Sequence, residues 1–187
     1  HGGTGMGQGL FIKVAQVVAQ ELQVDINRIQ ITATHTGKVP NTSATAASSG
    51  SDLNGMAALN AARTIRRRLT AFASSHYGVP ETEIAFHSSH IQIGPHKVSF
   101  SDLVMEAYLN RVQLSATGFY RTPKIHWDPT TITGRPFYYF AYGAAVTEVA
   151  IDLLTGENRV IGVDILHDVG RSLNPAVDAG QIEGGFI

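Results

Sequence analysis

The chain has 187 residues, 43% of them hydrophobic and 16% charged, with a net charge of −1. That is enough for one full core, and the balanced charge speaks against a nucleic-acid or membrane-surface role. Cysteine is absent, which excludes a disulfide framework, thiolate metal ligation and an iron–sulfur cluster held by this segment. No apolar run is long enough to span a bilayer and no signal peptide is read, so a cytoplasmic place is expected.

His1 to Gly9 (HGGTGMGQG) carries five glycines directly ahead of an apolar run. Such a cluster loses much backbone entropy on folding, yet it lets another group approach the main chain closely. The helix behind it would present free N–H groups and a positive dipole end, a setting that suits a phosphate-bearing ligand. The spacing is neither a dinucleotide fingerprint nor a P-loop. Gln8 offers a donor and an acceptor at the helix start. The chain opens in mid-motif without an initiator Met, so it reads as a piece truncated at both ends.

A helix is predicted over 9–24, with Leu10, Val14, Val17, Val18 and Leu22 inward and Lys13, Gln16, Gln20 and Gln23 outward. Ile29 to Ala33 alternates and predicts a strand. The stretch from His35 to Asp52 is long for a loop without structure of its own. Its Pro40–Asp52 part is rich in hydroxyls and small side chains just before a helix, which suits a phosphate or polar heterocycle as well as a plain capped loop. The second helix is predicted over 52–74, with Arg63, Arg66, Arg67 and Arg68 as a solvated face.

Short strands follow at 84–86, 91–93 and 98–100. Ser101 and Asp102 are expected to cap a helix to about Asn110, with Met105 and Leu109 inward. Leu114 to Trp127 is extended, and 137–152 is one long strand. A hairpin turn at 153–158 leads to a return strand over 159–167. The last helix has Asn174 as N-cap and Pro175 at N1. The whole predicts an α+β fold, a mostly antiparallel mixed sheet with helices packed on one face.

The eight histidines show no metal-ligand spacing, and His87 and His90 have no acidic partner. No serine or threonine of the 32–49 stretch stands with a histidine in a nucleophile–base pattern. Gln181 lies on an early turn of the last helix between glycines. Glu183 is expected to be solvated or capping.

Five separated segments in order resemble the molybdenum-cofactor-binding subunit or domain of the xanthine dehydrogenase family, particularly its bacterial type. They are 1–9 (HGGTGMGQG), 36–55 (TGKVPNTSATAASSGSDLNG), 112–123 (VQLSATGFYRTP), 137–143 (FYYFAYG), and 167–176 (HDVGRSLNPA) with 180–185 (GQIEGG). The resemblance runs over essentially the whole chain. It implies that residues 1–187 are part of a molybdopterin-binding domain in an enzyme that oxidises hypoxanthine to xanthine and xanthine to urate. Electrons would leave through [2Fe–2S] centres and FAD to NAD, all held elsewhere in the enzyme. The implied partners are the purine substrate, an iron–sulfur/FAD subunit or domain, and the rest of the molybdenum subunit, in a hetero-oligomer.

The resemblance implies roles for single residues too. Met6, Gly7 and Gln8 would bind the pterin's phosphate and ring edges. Ala47, Ser48, Ser49 and Gly50 would wrap the pterin, with Ser51 adding to them, and Gln181 would contact it. Ala46 and Ala47 would border the substrate pocket. Gly5 departs from the family, which usually has Glu there. The family's catalytic glutamate falls beyond Ile187, and its purine-clamping and metal-facing side chains fall before His1. No residue of this chain is therefore expected to be catalytic or a metal ligand, and the isolated segment is expected not to turn over. Two other readings stand beside this one: a different molybdenum hydroxylase, such as an aldehyde oxidase or N-heterocycle dehydrogenase, and a non-catalytic assembly module.

Overall fold

The glycine run ends at Gly9, whose φ of 71° makes it a left-handed N-cap for α1 (Leu10–Leu22). A computed structural model describes residues 1–39 and 42–187, with Ala47 by its backbone alone. The chain divides into two compact units, His1–Arg121 and Thr122–Ile187.

In the first unit α1 buries Leu10, Lys13, Val14, Ala15 and Ala19. Lys13 corrects the sequence reading, which set it outward. It stands three residues after Leu10 on the same helical face, and only 9% of it is exposed. A 3₁₀ turn at Ile26–Arg28 follows, where the Asp25 carboxylate accepts from the Asn27 N–H. The strand predicted at Ile29–Ala33 does not form. The backbone at Ile29 is extended, but no neighbouring edge among the described residues pairs with it.

α2 (Gly50–Tyr77) is longer than predicted at both ends and closes on Gly78, which sits at φ 68° where glycine is favoured. Its buried residues Gly55, Ala62 and Leu69 recur every seventh position and Ala73 follows four further on, so one stripe faces its neighbours. The strands β1 (Ile84–Phe86), β2 (Ile91–Ile93) and β3 (His96–Val98) form an antiparallel meander in that order. Leu69, Ala73, Phe86, Ile91, Ile93, Leu103 and Ala107 close into one buried cluster between α2, the meander and α3 (Phe100–Leu109). Each large aliphatic side chain so buried contributes roughly 1.5–3 kcal/mol.

α3 starts earlier than predicted. Ser99, not Ser101 or Asp102, is its N-cap, and its hydroxyl accepts from the Asp102 N–H. Leu103 and Ala107 face the core, while Met105 and Leu109 are 57% and 71% exposed. The helix is apolar on both faces, so periodicity alone did not choose the buried one. The arginines of α2 are likewise not a plain solvated face. Arg66 donates to the Glu21 carbonyl at 2.9 Å and stands over the Phe86 ring at 4.8 Å. Arg63 pairs with Glu21 at 3.6 Å. Arg68 donates to the carbonyls of Gln113 and Ser115, and Arg67 is exposed. Asn60 donates to the Phe119 carbonyl, so side chains of α2 hold the extended 113–119 segment.

The second unit carries two antiparallel ladders, β4 (His126–Asp128) with β5 (Thr133–Arg135) and β6 (Tyr142–Ile151) with β7 (Asn158–Asp168). The long strand predicted from Phe137 begins only at Tyr142, because residues 137–141 lie outside the ladder. The hairpin turn stands as predicted, with Gly156 at φ 79°. So does α4 (Pro175–Phe186), capped by the Asn174 side chain accepting from the Val177 N–H at 3.3 Å. The α+β class holds. The described strands are all antiparallel and fall into three separate sheets.

Candidate cofactor site

The glycine run is stitched to the loop before α2. Gly3 N–H donates to both His1 Nδ1 and Asn54 Oδ1, at 3.1 Å each. Asn54 in turn donates to the Gly50 carbonyl at 2.9 Å. Thr4 N–H donates to Thr45 Oγ1 at 2.9 Å, and Thr34 Oγ1 donates to the Gly3 carbonyl. Glycine is needed where these segments touch. A Cβ on Gly2 would run into Thr42, and one on Gly3 would lie 2.5 Å from Leu10 and 2.8 Å from Asn54. The structure thus brings 1–9 and 42–54 into one place.

Within that place the predicted residues are set out plainly. Met6 is 65% exposed. Gly7 sits at φ 96° with nothing within 4 Å of where a Cβ would stand. The Gln8 amide shapes the loop: its Oε1 accepts from Met6 N–H at 2.6 Å, and its Nε2 donates to the Thr4 carbonyl at 2.8 Å. One lone pair and one N–H of that amide remain for a ligand. Ala46 is exposed in extended backbone ahead of a 3₁₀ turn at Ala47–Ser49. Ser48 is exposed and Ser49 half-buried, while Gly50 and the exposed Ser51 open α2. Pro40 and Asn41 lie outside the described residues, as does the Ala47 side chain. Gln181 and Glu183 are exposed on α4, in the second unit.

Sequence reading missed the residues that do the stitching. Thr4, Thr34, Thr45 and Asn54 look like ordinary polar positions until the segments meet. The paired glycines Gly2 and Gly3 were the signal that something packs against the backbone there.

The residues present can be tested against a phosphate-bearing heterocycle. Neither Gly9 nor Ser49, the N-caps of α1 and α2, closes its helix with a side-chain bond, so N–H donors remain at both starts; that of α1 has no acidic residue in its first turn and suits an anion, whereas that of α2 already carries the Asp52 carboxylate. Gly7 leaves open space over its backbone. Two buried side-chain atoms, His1 Nε2 and Asp52 Oδ1, have no hydrogen-bond partner, although buried polar groups are nearly always paired. A group bringing phosphate oxygens together with ring donors and acceptors fits this set.

Other groups point elsewhere. The His87 and His90 rings stack at 5.0 Å with planes 28° apart, so their in-plane lone pairs run side by side instead of converging on a metal. Among the described residues no three His, Asp or Glu side chains gather as metal ligands. A groove of about 330 Å³ lies along Thr64, Arg68, Gln113, Ser115, Ala116 and Thr117, and none of the predicted site residues lines it.

The family described as molybdopterin cofactor-binding domain matches residues 1–187. The chain belongs to the molybdopterin cofactor-binding domain family. Its relatives include xanthine dehydrogenase/oxidase of Mus musculus, 46% identical over the whole chain, and xanthine dehydrogenase of Oryza sativa subsp. japonica, 49% identical. The chain spans 13% and 12% of their lengths. Among solved structures, CO dehydrogenase from Oligotropha carboxidovorans shares the fold, with TM-score 0.79 and 22% identity over 98% of this chain and 22% of that one. Among the described residues no helix is long and apolar enough to cross a membrane.

Proposed function

We propose that this chain is the cofactor-binding part of a xanthine dehydrogenase, which oxidises hypoxanthine to xanthine and xanthine to urate. The observation that carries it is identity of 46–49% to xanthine dehydrogenases over the full 187 residues. When bound, molybdopterin supplies hydroxylation at an electron-poor carbon and takes up the two electrons released. This chain's own residues hold that group. The start of α1 supplies N–H donors for its phosphate, and the open backbone of Met6 and Gly7 lets it lie close. The free positions of the Gln8 amide meet its ring edge. Ala47, Ser48, Ser49, Gly50 and Ser51 wrap it, and the family resemblance alone assigns Gln181 to it as well. Ala46 and Ala47 are small enough to leave a purine room at the pocket's border.

The base, the [2Fe–2S] centres, FAD and the NAD site belong to the rest of the enzyme, with which this part forms a hetero-oligomer in the cytoplasm. Residues 1–187 act as one part of the molybdopterin-binding domain and do not turn over alone. The test is xanthine-dependent NAD reduction by the full-length protein purified with its partner subunits. NADH formed with xanthine supports the proposal. Turnover of aldehydes or other N-heterocycles but not xanthine moves the assignment to a sister hydroxylase. Protein without molybdenum and pterin leaves a non-catalytic assembly module.

A further inference from the structure

Segment 112–123 has no part in the cofactor reading, yet side chains of α2 fix it in place. Exposure alternates strictly from Val112 to Tyr120, with the odd-numbered residues outward, as in an extended strand. Gln113, Ser115 and Thr117 are therefore successive side chains of one face. With Thr64, Arg68 and Ala116 they line the groove of about 330 Å³. Thr64 and Arg68 are neighbours one turn apart on α2.

Arg68 decides what that groove takes. Its Nη1 is spent on the backbone, donating to the Gln113 carbonyl at 3.1 Å and to the Ser115 carbonyl at 2.8 Å. Those two bonds anchor the guanidinium. Its Nε–H and Nη2–H form the parallel pair that grips a carboxylate or phosphate with two bonds, and they have no partner among the described residues. The neighbouring arginines differ. Arg63 and Arg66 both pair with Glu21, whereas no Asp or Glu lines the Arg68 groove. Arg68 is half-buried, where its charge is screened less than in open solvent. The Ser115 and Thr117 hydroxyls and the Gln113 amide make no hydrogen bond among the described residues, and each can donate. Thr64 Oγ1 is engaged, donating to the Asn60 carbonyl at 3.0 Å. Free donors and an unpaired positive charge thus share one groove.

We infer that this groove binds a small polar molecule through its carboxylate or phosphate, the oxyanion gripped by Arg68 Nε–H and Nη2–H and met by the Ser115 and Thr117 hydroxyls. The site stands apart from the cofactor reading, since no residue given to the cofactor lines it. Its volume lies at the small end for ligand sites and its lining is polar, which suits a compact anionic metabolite. In the sequence the arginine run reads as a solvated face, and only its meeting with 113–117 singles out Arg68.

The test uses the full-length protein with its partner subunits. Amide exchange over 113–117 is read by mass spectrometry with inorganic phosphate and with acetate in separate arms, against sodium chloride of equal ionic strength. In the wild type about 20 mM of the preferred anion should slow exchange roughly fivefold, as a Kd of about 5 mM gives. Arg68→Gln removes the fork and should abolish the protection. Because Arg68 also holds the segment, a second variant, Ser115→Ala with Thr117→Val, keeps its bonds to both carbonyls and should weaken binding about threefold. The anion that protects at the lower concentration identifies the ligand's oxyanion. No protection by either anion in the wild type overturns the inference, as when another part of the enzyme fills the groove. Protection that survives in both variants places the anion elsewhere and overturns it too. Loss in Arg68→Gln with an unaltered double variant makes Arg68 a strut for the segment and overturns the site as assigned.

Discussion

Gly3 has no room for a side chain, and Gly5, two residues on, has room to spare. A Cβ on Gly3 meets Leu10 and Asn54, whereas one on Gly5 rests against the Phe11 ring at 3.5 Å, an ordinary contact. Gly3→Ala is expected to destabilise by about 1–3 kcal/mol through overpacking. Gly5→Ala is expected to be neutral or to stabilise by about 0.4–1 kcal/mol, because it narrows the unfolded ensemble. Thermal unfolding of the two variants side by side checks both, and equal losses would contradict the packing described. Tyr77 gives a prediction in pH. Its phenol donates to Glu106 at 2.8 Å and is pushed up to about 12, by burial first and then by the hydrogen bond and charge of Glu106. The folded state therefore holds this proton more tightly than the unfolded chain. The stability so gained is complete below pH 10 and is lost as pH rises from about 10 through 12. Tyr77→Phe should flatten that alkaline decline in the denaturation midpoint, and an unchanged slope would refute the linkage. At this scale the sequence was informative about Met6, Gly7 and Gln8, whose glycine spacing is unusual.

Elements were more legible where one face alone was apolar. α1, α2 and α4 lie close to where periodicity and caps set them, and the Asn174–Pro175 start of α4 forms as its chemistry demands. α3 was placed well but turned wrongly, because the segment FSDLVMEAYL is apolar on two faces and only the meander beside it selects Leu103. The prediction follows: Leu103→Ala should cost about 2–5 kcal/mol as a buried truncation, while Met105→Ala, more than half exposed, should change stability by no more than about 0.5 kcal/mol. Chemical denaturation of the two variants tests it, and a reversed order would restore the first orientation. The Ile29–Ala33 strand failed for a different reason. Alternation gives a segment two faces but does not supply an edge to pair with. The 113–119 segment has the same extended character, and there side chains of α2 take up its carbonyls in place of a strand. Gly118 is the point of closest approach, since a Cβ there would collide with the Ala57 carbonyl.

Over the whole molecule burial is uneven. Among the described residues every buried hydrophobic one lies between Leu10 and Ala107, while Val146, Val149, Val160, Ile161 and Leu166 of β6 and β7 are at least half exposed. A two-stranded ribbon exposed in this way is marginal in water, so amide exchange of the 187-residue chain should be slowest around Leu69, Ile91, Ile93 and Leu103 and fast throughout 142–168. Uniform protection across both units would contradict this. Overall composition announced a full core, but it could not show that the core would gather in the first unit. The family match joins both units in one domain type, and the function proposed for it stands or falls on the glycine run and the loop before α2. The most direct measurement is pterin content per polypeptide in the full-length protein with its partner subunits, wild type against Gln8→Ala. The account predicts near-stoichiometric pterin in the wild type and about a tenfold loss in the variant, as expected when roughly 1.4 kcal/mol of hydrogen bonding and loop closure is removed. Wild-type protein devoid of pterin, or a variant that holds it as well as the wild type, would contradict it.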